Sequence, residues 1–343
     1  MIADRYYYQC LNDLEKKIYQ TVYSGIKQHK SLIPIAVSGL PEESVNRIFY
    51  AVTADNPLFY YCNHSVMNIA QDQFGNIAFC PQYYFKEDQV LKHNSKIQQV
   101  VNQLIADLRL TEGTDYEKVL KVNEYFCKNV EYDDAGADLA DVTRVIMSHT
   151  ILGVFAKKRA QCEGIAKAVK VLLNAVDVKC IVVDGTAILS DGSQSLHAWN
   201  IIKQNDEPYH VDITFNIGHT THGNVAYDWL NVSDAMVKGN HMPDAGLKLP
   251  ACVSEKLNYY TLNKAVFSSK KQACEYVKKK IKHGERLIYM RFCGRIKVSN
   301  IYMELVNIAG DAIQQYYPNN DQNNQSVNSA VGVDTNTLRL WIH

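Results

Sequence analysis

Three polar residues near the middle of the chain are of types that can do covalent chemistry together: Cys162, His197 and Asp212. After Cys162, the apolar residues Ile165, Ala166, Val169, Leu172, Leu173 and Val176 recur at helical spacing. That pattern predicts a helix starting at or just after the cysteine. A thiol in that position faces unpaired backbone N–H groups and the positive end of the helix dipole, and both favour the nucleophilic thiolate. The same N–H groups could hydrogen-bond a developing oxyanion. Gly164 permits a close backbone approach in the first turn. Further on, a predicted strand Ser195–Ile202 puts His197, Trp199 and Ile201 on one face. A second, Tyr209–Thr214, does the same for His210, Asp212 and Thr214. If His197 pairs directly with Asp212, the turn between the strands is Gln204-Asn205. If the register slides by two, the turn is Asn205-Asp206 and the two residues become diagonal neighbours. Either register leaves imidazole and carboxylate roughly 5–8 Å apart at the backbone. Nucleophile, base and orienting carboxylate are the parts of a cysteine nucleophile site. Each part alone has a plainer explanation: a buried cysteine at a helix start, and a structural His–Asp pair.

In combination these residues resemble the transglutaminase-like superfamily, of the bacterial kind. The resemblance is carried by Gln161-Cys162-Glu163-Gly164-Ile165-Ala166-Lys167-Ala168, by His197-Ala198-Trp199-Asn200 and by Tyr209-His210-Val211-Asp212-Ile213-Thr214. Around them, Asn129–Asp133 looks like the family's entry helix and Tyr227–His241 like its tail. The likeness covers roughly Glu112 to His241. It implies an α+β, papain-like core, with the cysteine-bearing helix packed on an antiparallel sheet that bears the histidine and the aspartate. It implies Cys162 as nucleophile, His197 as general base and acid, and Asp212 as the residue that orients the ring. Trp199 and Gln161 are the residues expected to touch substrate. The implied reaction is acyl transfer from a protein or peptide amide through a thioester, as a peptidase or deamidase or as a transglutaminase. The alternative is a catalytically idle scaffold that keeps the triad as a relic of the fold. One departure stands out. A glycine often found shortly before the nucleophile is replaced by Lys157-Lys158-Arg159-Ala160.

The rest of the chain must position that core. Residues 1–110 read as a helical and β-ribbon region, with helices over 4–29, after Pro41 and over 87–109. Short strands are expected at Leu58–Cys62, Val66–Ile69 and Ile77–Cys80. The catalytic core is placed at 111–245, opened by the capping box Thr114-x-x-Glu117. A polar link Asp133–Asp141 leads to a short helix around Thr150–Phe155. Residues 250–343 read as a small α+β region: strand Leu257–Leu262, helix 268–282, strand Arg286–Phe292, helix 298–317 and strand Leu338–Ile342. A polar surface loop is expected around Pro318–Gln325.

Composition narrows the partners. Lys and Arg together number 36, as do Asp and Glu, so the chain carries no net charge and offers no electrostatic footprint for nucleic acid. No apolar run is long enough to span a membrane. The nine cysteines are odd in number and scattered, without a Cys-x-x-Cys pair. That usage suits a reducing compartment, hence a cytoplasmic protein as the sequence stands. Removal of an N-terminal signal would instead make it extracellular or a cell-surface protein. His210, His219, His222 and His241 lack a zinc-binding frame, and no Asp-rich calcium loop is present, so no metal or cofactor is expected. The expected partner is a protein or peptide substrate.

Overall fold

The stretch from Cys162 to Asp212 forms a helix and three strands, and the remaining elements wrap around it. The computed structural model describes residues 5–137, 141–189, 191–318 and 326–343. The N-terminal part contains α1 (Tyr6–Cys10), α2 (Asp13–Lys27), β1 (Ile33–Ser38), α3 (Glu42–Asp55), β2 (Cys62–Gln71), β3 (Asn76–Tyr83) and α4 (Glu87–Asp107). The single helix expected over 4–29 is broken. Asn12 accepts from the Glu15 N–H while the Glu15 carboxylate accepts from the Asn12 N–H, and this capping box restarts the helix at Asp13. The strand expected at Leu58–Cys62 begins only at Cys62, because Pro57 opens a 3-10 turn over Pro57–Phe59. β1, not foreseen, pairs with β3 in an antiparallel sheet of order β1-β3-β2.

The central part contains α5 (Asp115–Asn129), β4 (Glu131–Tyr132), α6 (Val142–His149), β5 (Arg159–Ala160), α7 (Cys162–Asn174), β6 (Cys180–Ile188), β7 (Gln194–Gln204), β8 (Glu207–Val211), α8 (Ile213–His219), α9 (Asp234–Val237) and β9 (His241–Pro243). The Thr114–Glu117 capping box starts α5. Of the link expected at Asp133–Asp141, residues 138–140 lie outside the described residues. β6 to β9 make an antiparallel sheet of order β8-β7-β6-β9. The side chains of α1, α2 and α3 share one apolar core with those of α5 and α7, from Tyr7 through Phe126 to Leu172. A specific tie joins them as well: the Tyr7 hydroxyl donates to the Val182 carbonyl at 2.6 Å.

The C-terminal part contains α10 (Tyr259–Leu262), β10 (Val266–Phe267), α11 (Lys270–Lys282), β11 (Leu287–Phe292), α12 (Val298–Tyr316), β12 (Val327–Gly332) and β13 (Thr337–Ile342). Its sheet has the order β10-β11-β13-β12 and a second hydrophobic core, built around Val277, Met290, Leu305 and Leu340. Residues 257–262 are not the expected strand. Asn258 accepts from the Tyr260 N–H and caps the short α10 instead. β12 was not foreseen. It follows the polar stretch Pro318–Gln325, of which 319–325 lie outside the described residues.

Candidate active site

Cys162 is the first residue of α7, with Gln161 as the preceding cap residue. Several close backbone approaches hold this helix start. A Cβ on Gly164 would lie 2.6 Å from the Ser148 carbonyl oxygen, so α6 sits directly against the first turn. A π-helical turn over Gly153–Lys157 leads in, and a Cβ on Gly153 would lie 1.9 Å from the Met147 oxygen. Lys158 then adopts a left-handed conformation, φ 54°. The reversal usually served by a glycine is made here by a lysine. β5 follows and pairs in parallel with β4, Tyr132 opposite Ala160. That short ladder carries Tyr132 to Cys162. Asp133, beside it, is tied down by Arg144 at 3.0 Å and by the Ser148 hydroxyl at 2.5 Å.

The hairpin β7–β8 sets the other half. Its turn is Asn205-Asp206, both with positive φ (49° and 63°), the geometry that matches strand twist in a two-residue turn. The register pairs Asn200 with Val211, so His197 and Asp212 are diagonal neighbours. The strand expected to continue to Thr214 stops at Val211. Asp212 instead caps α8, its Oδ1 accepting from the Phe215 N–H at 2.9 Å. The cap fixes the carboxylate plane, and Oδ2 accepts from His197 Nε2 at 2.6 Å. An ionised carboxylate only accepts, so Nε2 carries the proton and Nδ1 is the ring nitrogen left for Cys162. The His197 and Cys162 side chains are within hydrogen-bonding reach of each other.

Burial of His197 would by itself lower its pKa, but the charge and hydrogen bond of Asp212, together with Cys162, push it up to about 10. Burial would raise the Asp212 pKa, yet His197 and His241 hold it well below the usual carboxylate range. The imidazolium–carboxylate pair is thus the favoured state of the couple at neutral pH.

Three residues join the site that sequence reasoning did not assign to it. His241 donates from Nε2 to Asp212 Oδ2 at 2.9 Å, the same oxygen that His197 uses. Phe215 stacks on the His197 ring with centroids 4.7 Å apart. Tyr132 is within hydrogen-bonding reach of Cys162. Burial first, then negative charge at Cys162, raises its pKa far enough to keep the hydroxyl a donor. Tyr132 falls within the expected entry helix Asn129–Asp133, but α5 ends at Asn129 and Glu131–Tyr132 is a strand, and nothing in the sequence gives the β4–β5 ladder.

Trp199 and Gln161, expected to touch substrate, both spend their polar groups on the protein itself. Trp199 is 1% exposed, its indole N–H donating to His210 Nδ1 at 3.0 Å, so it packs behind the imidazole rather than lining a surface. The Gln161 side-chain amide donates to the Asp133 carbonyl at 3.3 Å and so braces the helix start.

Among the described residues, two groups of side chains have metal-ligand composition: His197, Asp212 and His241, and His210, Asp234 and Cys252. In the first, both histidines direct Nε2 at the carboxylate they would have to share with an ion. In the second, Trp199 donates to His210 Nδ1, which places the ring proton on Nε2, where it donates to Asp234 at 2.8 Å. A ring protonated there has no lone pair to offer a metal. Neither group is set up as a metal site.

Residues 102–213 match the family model described as the transglutaminase-like superfamily, from the end of α4 to the start of α8. No curated protein matches the chain. Among solved structures, a transglutaminase crystal structure aligns with 64% of this chain and 59% of its own, at 14% identity and a TM-score of 0.34. A candidate cysteine protease from Cytophaga hutchinsonii aligns with 43% of this chain and 61% of its own, at 10% identity and a TM-score of 0.27. The chain therefore spans about three fifths of each of these relatives. With a cysteine-headed helix set against an antiparallel sheet, and with the family match across both, the chain carries a transglutaminase-like domain over residues 102–213.

Proposed function

We propose that this chain is a cysteine-dependent enzyme that transfers the acyl group of a protein or peptide amide through a thioester on Cys162. One observation carries the reading: His197 is held by Asp212 at 2.6 Å on one ring nitrogen and has Cys162 within reach of the other. In this mechanism His197 already holds the Cys162 thiol proton as an imidazolium, and the thiolate sulfur attacks the amide carbonyl. The C–N bond then breaks as His197 returns the proton to the leaving amine. Water or an amine next attacks the thioester, with His197 as base, and releases Cys162. Asp212 keeps the proton on Nε2 and balances the imidazolium. The Tyr132 hydroxyl and the N–H groups of the first turn of α7 are the donors available to the oxyanion.

The test is the rate at which iodoacetamide modifies Cys162 near neutral pH, located by peptide mass spectrometry. The expected result is a rate well above that of a model thiol, absent in Cys162→Ser and reduced in His197→Ala. Turnover of a glutamine-containing peptide should fall by about 10²–10⁴ in His197→Ala. Ammonia release with and without an added primary amine separates hydrolysis from transfer. Modification no faster than a free cysteine peptide, with no effect of His197→Ala, would mean an idle scaffold.

A further inference from the structure

His241 is an expensive residue to keep where it stands. Its side chain is 0% exposed, and its Nδ1 is buried with no hydrogen-bond partner among the described residues. The indole N–H of Trp229, a ring 4.9 Å away, is likewise buried and unpartnered. An unmatched buried polar atom costs on the order of 1–3 kcal/mol, and native structures tolerate few of them. Trp199, Phe215 and Trp229 pack around the imidazole with centroids 4.8–5.2 Å from it, so an apolar side chain would suit the space. Among the described residues, the only polar hold the ring has is Nε2 on Asp212 Oδ2.

The chain also gives up a side chain to bring it there. β9 is three residues long and lies against β6, Ala187 opposite His241 and Gly185 opposite Pro243. A Cβ on Gly185 would lie 2.2 Å from the Met242 carbonyl oxygen, so any other residue would push β9 away. Gly185 also pairs with His197 across β7. One glycine therefore sits between the two strands that carry the two histidines.

We infer that His241 is a positioning residue for the Asp212–His197 couple: its Nε2–H shares Oδ2 with His197 and sets how strongly the carboxylate holds the imidazole. The inference rests on the acyl-transfer reading above. The carboxylate accepts three donors, from Phe215, His197 and His241, which leaves it one orientation and divides its charge between two rings. The other titratable groups facing this cluster are Cys162 from α7, Tyr132 from β4, His210 from β8 and His219 at the end of α8. Without His241 the full charge of Oδ2 would act on His197, while the plane of the carboxylate would be fixed by the Phe215 N–H and the His197 ring only.

The test uses the full chain and the ratio of iodoacetate to iodoacetamide rates at Cys162 as a function of pH. Iodoacetate is anionic, so the ratio drops when His197 loses its charge. His241→Leu should move that drop upward by roughly half a pH unit or more and lower turnover severalfold at little-changed KM. His241→Gln, whose amide N–H can stand in for Nε2–H, should restore both. In the wild-type chain, the ¹⁵N spectrum of labelled histidine should show His241 as the Nε2–H tautomer, a result that needs no variant to fold. An Nδ1–H tautomer overturns the inference. So does a pH drop and turnover unchanged in both variants, with only the melting temperature lowered. If those results come with modification that still depends on His197, the acyl-transfer reading stands and only the role of His241 falls. If modification ignores His197, both fall.

Discussion

A carboxylate that accepts three hydrogen bonds in the interior has little freedom to change its charge. Asp212 is 2% exposed, and its two oxygens are committed to Phe215, His197 and His241. Asp212→Asn keeps the shape but offers an N–H to one of the ring N–H groups, which favours the opposite His197 tautomer. Turnover should fall by about 10²–10⁴, of the size general-base catalysis supplies. The pH dependence of stability should change with it. The pKa of His197 is raised from its ordinary 6.5 to about 10, so its pairing contributes fully below pH 6.5 and is lost as pH climbs through about 10. Asp212 is depressed from 3.8, so its contribution is present above that value and is lost on acidification. Urea unfolding at a series of pH values should show an alkaline loss in the wild-type chain that is flattened in Asp212→Asn. An equal alkaline loss in both would remove His197 as its source. His197 and Asp212 were legible in the sequence because strand alternation puts them on one face whichever turn is chosen. Tyr132 and His241 were not. Each reaches the site through a strand of only two or three residues, too short to leave a periodic signature.

At the scale of elements, the loop before Cys162 carries a lysine where the chain must reverse direction, and the consequence is a matter of backbone conformation. Lys158 is exposed and left-handed, a state that costs a residue with a Cβ about 1 kcal/mol. Lys158→Gly relieves that strain but adds entropy to the unfolded chain. The two effects partly offset. The expected outcome is a stability gain between zero and about 1 kcal/mol in urea unfolding, with the Cys162 modification rate unchanged. A clear loss of stability would show that the lysine side chain, not the turn, holds the β4–β5 ladder. The long amphipathic helices α4, α5, α11 and α12 were readable from periodicity alone. Three of the errors fell where a local cap outweighed a pattern: Asn12 dividing one helix into two, Asp212 ending a strand, Asn258 turning an expected strand into α10. Such caps are single side-chain hydrogen bonds, and an apolar repeat does not register them.

At the scale of the molecule, the C-terminal part has its own core yet grips the far end of the helix that Asp212 caps. His219, the last residue of α8, sends Nδ1 to Asp228 at 3.1 Å and its carbonyl to the Arg339 guanidinium at 2.6 Å. Arg339 also donates to the Asn224 carbonyl, and the Tyr289 hydroxyl donates to that of Val225 at 2.9 Å. Asp228 is 5% exposed, and the Tyr260 hydroxyl of α10 donates to its other oxygen. Burial would raise the Asp228 pKa, but His219, Tyr260 and Arg339 lower it, so it is a charged group at neutral pH. Tyr260→Phe keeps the packing and removes one donor from that buried charge. The cost should be about 1–3 kcal/mol in urea unfolding at neutral pH. It should shrink as pH falls through the carboxylate range, because a protonated Asp228 no longer needs the donor. Arg339→Ala should destabilise as well, with a pH dependence that differs, since two of its hydrogen bonds go to uncharged carbonyls. A Tyr260→Phe cost below about 0.5 kcal/mol, or one that is flat with pH, would mean that Asp228 is not what ties the second core to α8. If the tie is real, the same variant should leave His197 and Asp212 hydrogen-bonded, because the Phe215 N–H fixes the carboxylate at the opposite end of the helix.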